Sequence, residues 1–288
     1  MTFIQHNSDT PQSIEERQNV SQSELQKVAS IEHGSYFTQL DEHRYLPLPP
    51  SEGPWNPGAC HGGPPSALAV HELVGHQPDR DRRIGQIHVD FFGEVPLKPL
   101  TFVTTTLRPG RRIELVETRA HGDDNRVVIS ARSWRLAIEA ERAPRVEPTL
   151  QVPSDEVSYP DSSIASFPYG ASIDWAFFEG GFTEPGPATV WARPRLNLID
   201  LQPMEPLEAV LLVADSANGI SSELDFKHFL FLPTVMEIGL RSRPNTTEVG
   251  LSARTTIDHE GIGTTRGTLF DREHSFGYLL QTLYVDHR

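Results

Sequence analysis

The chain has 288 residues, 37% of them hydrophobic, enough for a substantial core in one large domain or two modest ones. A formal charge of −14 and a pI near 5.3 argue against a general nucleic-acid backbone binder, yet leave a few arginines to hold a small anion. The single cysteine, Cys60, rules out an intrachain disulfide, fits a reducing compartment and reads as an inert packing residue.

Residues 1–30 form a polar segment expected to be mobile, with Ser21 and Glu24 at the spacing of a capping box. The start lacks the basic and apolar regions of a signal peptide. No window approaches the roughly 18 apolar residues of a membrane span. A soluble, cytoplasmic protein that contacts neither membrane nor nucleic acid is therefore expected.

The next region, 31–142, contains HGGPPSALAVHELVGH (61–76), which reads as a helix. Gly62 and Gly63 would turn the chain, Pro64 and Pro65 suit first helical positions, and apolar residues follow at helical spacing. Strand-like segments come next: IGQIHVDFF (84–92), LTFVTTTLR (100–108), RIELVETRAH (112–121) and RVVISARSWRLA (126–137). RPGR and GDDN between the last three predict antiparallel hairpins. Residues 143–170 are proline-rich and read as a linker.

The region 171–288 runs the programme again. ASIDWAFFE (171–179) and TVWARPRL (189–196) precede a helix over PLEAVLLVADSANG (206–219), started by Pro206 and stopped by Gly219. TVMEIGLRSR (234–243), EVGLSARTTID (248–258), GTTRGTLFD (263–271) and YLLQTLYV (278–285) then read as strands. Pro96 and Pro244 occupy matching points of the two passes, an offset of 148. One helix against one curved sheet buries a single sheet face, so two such units side by side are expected to complete a shared sheet. The fold expected is α+β, two-lobed and pseudo-symmetric.

Helix-then-four-strands, twice, with HGGPPSALAVHEL in one half, VWARPRLNLID, VADSANGIS and GYLLQTLYVDHR in the other, resembles the double-hotdog acyl-CoA thioesterases, most closely the acyl-CoA thioesterase II (TesB-like) family. The resemblance covers about residues 33–288. It implies two hotdog repeats, each a long central helix wrapped by an antiparallel sheet. It also implies a fatty acyl-CoA substrate, hydrolysis without a covalent intermediate or cofactor, and a homo-oligomer. Carried over residue by residue, the water-activating aspartate, threonine and glutamine fall on Asp215, Thr234 and Gln281. Val235 and Met236 depart from the family pattern beside the threonine.

The residues carry part of this reading themselves. Asp215 shares a helical face with Leu211 and Leu212, where an ionised carboxylate needs a partner or a task. That partner could be an arginine, or nearby Ser216 or Asn218. Alternation puts Gln281 with Leu279 and Leu283, and Thr234 with Met236 and Ile238, on sheet faces expected to be buried. The helix start after His61-Gly62-Gly63 offers backbone N–H groups for an oxyanion, and His61 itself could touch ligand. Arg241 and Arg243 are candidates for CoA phosphates. The 148 offset maps the three site positions onto Ala67, Gln86 and Ser133, so one competent site in the second half is expected.

Other motifs carry less. No G-x-S-x-G is present. His71 and His76 in HELVGH are five residues apart, off the H-E-x-x-H geometry, so no metal is expected. GIGTTRG (261–267) reads as a hairpin rather than a phosphate loop. Two rivals stand beside hydrolysis: enoyl-CoA hydration or dehydration, against which residues 216–224 offer no histidine, and a non-catalytic acyl-CoA-binding module.

Overall fold

The computed structural model describes residues 34–79, 81–139, 142–144, 146, 158–159 and 167–288. The capping box at Ser21 and most of the proline-rich stretch lie outside them. In chain order the elements are β1 (Ser35–Asp41), β2 (Arg44–Pro47), α1 (Gly63–Gly75), β3 (Arg82–Phe91), β4 (Leu100–Arg108), β5 (Ile113–His121) and β6 (Val127–Ala137). There follow α2 (Pro168–Ala171), β7 (Ile173–Gly181), β8 (Glu184–Pro194), β9 (Asn197–Ile199), α3 (Pro206–Ala214), α4 (Ala217–Ile220), β10 (Phe229–Leu240), β11 (Val249–Ile257), β12 (Ile262–Phe270) and β13 (Ser275–His287).

All strands among the described residues join one 13-stranded sheet, ordered β7-β8-β11-β12-β13-β10-β3-β6-β5-β4-β2-β1-β9. Read outward from the β3–β10 pair, the order is the same in both directions, with β9 added at one end. That is two hotdog repeats sharing a sheet. The seam is antiparallel, Ile238 opposite Ile87 and Glu237 opposite His88, so neither central strand presents an open edge. β1 and β2 are strands that the sequence reading left unmarked.

Each repeat wraps its helix, and α1 and α3 pack against each other. Val210, Leu211, Leu212 and Val213 are fully buried, as expected of a helix apolar on every side. Burial contributes about 1.5–3 kcal/mol for each such large side chain. Gly63 permits the close approach: a Cβ there would collide with the Leu212 carbonyl oxygen. Gly62 has φ −66°, ordinary right-handed backbone. Neither glycine is therefore needed for chain reversal, as the sequence reading had supposed; they are needed for close contact.

The second helix does not run unbroken to Gly219. It ends at Ala214, Asp215 caps it, and the chain resumes as the short α4 after Ser216. Asp215 thus stands at a junction between two helical segments.

Candidate active site

The loop before α1 is pinned on both sides. The Cys60 N–H donates to Val95 O (2.7 Å), and the His61 N–H to Ser51 O (2.8 Å). Burial, with Glu52 nearby, raises the Cys60 thiol's pKa, which keeps it inert. The His61 ring stacks on Tyr169, centroids 3.9 Å apart and planes within 10°. Tyr169 is fully buried; its hydroxyl donates to Leu212 O (2.6 Å) and meets Ser216 Oγ (2.9 Å). One ring therefore braces both the histidine and the last turn of α3.

Across from this loop, His61 Nδ1 lies 3.0 Å from Asp215 Oδ2 and takes the Gly63 N–H at 3.2 Å. Asp215 is 3% exposed, and its Oδ1 has no hydrogen-bond partner among the described residues. A carboxylate oxygen in that state needs a donor. Asp215 lines a cavity of about 400 Å³, together with His61, Gly62, Phe91, Asn218 and Thr234.

Gln281 is fully buried and does not line this cavity. Its Oε1 accepts the Asn218 N–H (3.2 Å) and its Nε2 donates to Asp215 O (3.3 Å). Its amide spans the α3–α4 junction and fixes the backbone that carries the aspartate.

Thr234 departs from the alternation. β10 carries a bulge between Pro233 and Val235, so Thr234 turns outward while Met236 and Ile238 stay fully buried. Proline has no N–H for the ladder, and bulges re-aim side chains in this way. The Thr234 hydroxyl donates to Thr282 O (3.2 Å) and borders the cavity.

Arg241 and Arg243 are not brought to this site. They follow β10 at the end away from Thr234; Arg243 lines a different cavity, and the exposed Arg241 donates to Ser275 O. The helix start also offers fewer donors than expected, because Pro64 and Pro65 carry no N–H. Gly62 N–H remains, with no acceptor among the described residues.

The site is not confined to the second half. His61, Gly62 and Phe91 come from the first repeat, Asp215, Asn218 and Thr234 from the second. The partner of Asp215 is neither an arginine nor a neighbour in sequence but a histidine over 150 residues upstream. No local pattern could have paired them. Tyr169 was also missed, because Phe167–Gly170 read as linker.

Residues 51–136 match the acyl-CoA thioesterase N-terminal domain and residues 143–285 the acyl-CoA thioesterase C-terminal domain. The chain belongs to the acyl-CoA thioesterase family. This thioesterase is a thioester hydrolase, and its candidate site lies between the family's two domains. Its fold is similar to a putative thioesterase II from Thermobifida fusca (15% identity, TM-score 0.67, covering 88% of this chain and 96% of that one). It is also similar to the acyl-CoA thioesterase II TesB2 from Mycobacterium marinum (14% identity, TM-score 0.62, 88% and 96%). A hot dog fold protein of unknown function from Alicyclobacillus acidocaldarius aligns equally well (15%, TM-score 0.66, 88% and 97%). No curated protein matches the sequence.

Two histidines of this thioesterase that looked like a metal motif go separate ways. His71 Nδ1 meets Glu208 Oε1 (2.8 Å) and His76 Nε2 meets Thr106 Oγ1 (3.1 Å).

Proposed function

We propose that the thioesterase hydrolyses fatty acyl-CoA by direct attack of water, with Asp215 as the general base. The observation that carries this is the Asp215 carboxylate itself: buried in a cavity wall, one oxygen against His61, the other without a partner among the described residues. A water donating to Oδ1 and to the Thr234 hydroxyl would point its lone pair at a bound thioester carbonyl. As the water oxygen adds to the carbonyl carbon, Oδ1 takes the proton. The C–S bond then breaks, and the departing sulfur receives that proton. Gly62 N–H is the donor available to the developing oxyanion. His61 holds the aspartate's orientation, and Gln281 acts through the backbone as a positioning residue. The apolar wall of Phe91, Trp55 and Leu232 suits an acyl chain.

Asp215→Asn keeps the shape and removes the base. Thiol release from acyl-CoA should fall about 10²- to 10⁴-fold with the fold intact by circular dichroism. Release at the wild-type rate would refute the assignment.

The His61–Asp215 contact also supplies the histidine that the local sequence lacked for water addition to an enoyl-CoA. Crotonyl-CoA in the same assay separates the two: loss of the enoyl absorbance without thiol release would favour hydration. Binding of acyl-CoA with neither reaction would favour a non-catalytic module.

A further inference from the structure

The cavity at the opposite end of the helix pair is larger, about 1080 Å³. It is the pseudo-twofold counterpart of the Asp215 cavity. The start of α3 and the end of α1 form it, as the start of α1 and the end of α3 form the other.

Its charges do not cancel locally. Each carboxylate in its wall has its own partner: Asp79 pairs with Arg82 Nε (2.6 Å), Glu208 with His71 (2.8 Å), and Glu205 caps α3. Arg135 is held by Glu114 (3.3 Å). Arg83 and Arg243 are left over. The Arg83 guanidinium donates to the carbonyl oxygens of Leu240 (3.3 Å) and Arg241 (2.6 Å). Neither Arg83 nor Arg243 has a carboxylate within ion-pair distance among the described residues. Burial, and then the like charge of Arg243, lowers the pKa of Arg83. Beside these cations lie Val70, Val74, Leu207 and Leu240.

We propose that this cavity is a second ligand site, which takes an anionic amphiphile with its head on Arg83 and Arg243 and its chain along the apolar wall. A free fatty carboxylate and an acyl-CoA share that chemistry. The site binds rather than reacts. Glu72, at the helix position matching Asp215 when the two helix starts are aligned, is occupied by Tyr45 Oη (2.6 Å) and His43 Nδ1 (2.8 Å) and does not line the cavity.

The test is isothermal titration of the full chain carrying Asp215→Asn, with sodium dodecanoate, dodecanoyl-CoA and dodecanol as probes. Arg243→Glu and Val74→Trp are added singly; both positions are exposed, and circular dichroism checks the fold. One class of sites should weaken about tenfold or more for a charged probe in each variant, about the loss of one charge-assisted contact. Dodecanol should be insensitive to Arg243→Glu. An effect on dodecanoate identifies a fatty carboxylate, and an effect on dodecanoyl-CoA alone identifies acyl-CoA. Unchanged binding of both charged probes in both variants overturns the proposal. The readout is binding, so it stands apart from whether Asp215 is the base.

Discussion

Gly62→Ala separates catalytic geometry from folding. The backbone at Gly62 is right-handed helical (φ −66°, ψ −20°), so alanine fits without conformational strain. A less flexible unfolded chain would even contribute about 0.4–1 kcal/mol of stability. The added Cβ, however, would lie 2.7 Å and 2.9 Å from the two Asp215 carboxylate oxygens and 2.9 Å from Phe91 Cε1, where ordinary contact begins at 3.4 Å. The carboxylate, or the loop facing it, must therefore shift by about 0.7 Å, which disturbs the 3.0 Å contact with His61. A misplacement of 1 Å at a reacting group costs about 10²-fold, so kcat should fall roughly 10- to 100-fold, about 1.4–2.7 kcal/mol in the barrier. The assay is chromogenic thiol release at saturating acyl-CoA, with a thermal melt in parallel. A melting temperature within a few degrees of wild type together with an unchanged kcat would refute the reasoning, because the carboxylate would then not be where the chemistry occurs.

The adjacent Gly63→Ala should act oppositely: its Cβ meets main chain at Leu212, so a cost of about 1–3 kcal/mol should appear in denaturant melts. Gln281→Leu strips partners from Asp215 O and Asn218 N, each worth about 1–3 kcal/mol when left buried and unpaired. It should lower both the melting temperature and kcat while KM holds. His71 has its pKa raised above 6.5, chiefly by the hydrogen bond its ring donates to Glu208. Its stabilisation is thus complete below about pH 6.5 and lost as pH rises through the raised value. The stability gap between wild type and His71→Gln, followed by urea melts across pH, should be widest in acid and close in alkali; a gap that widens with pH contradicts the assignment. Tyr169→Phe removes one donor to Leu212 O and should cost about 1 kcal/mol, with part of the loss seen in kcat through the loosened His61 ring.

Most of the architecture was legible because it is written in local periods. Alternation and turn residues placed β4 at Leu100–Arg108 as read and β5 and β6 to within a residue, while β8 and β10 begin well before the segments read for them; Pro206 marked the start of α3. The run LLVADSANGIS flagged Asp215 because a carboxylate among buried leucines needs an explanation. The family resemblance named the hydrolase, and the domain matches agree.

The sequence by itself determined two repeats of helix and strands and an acid in an apolar setting. Only the tertiary structure decided what that acid meets. Register at the β3–β10 seam and the packing of α1 on α3 bring His61 to Asp215. A bulge at Pro233 turns Thr234 off the buried face, and the same packing sends Arg243 to another cavity. Periodicity fixes which face a residue occupies within its own element. Which faces meet depends on long-range packing, and that information is spread over the whole chain.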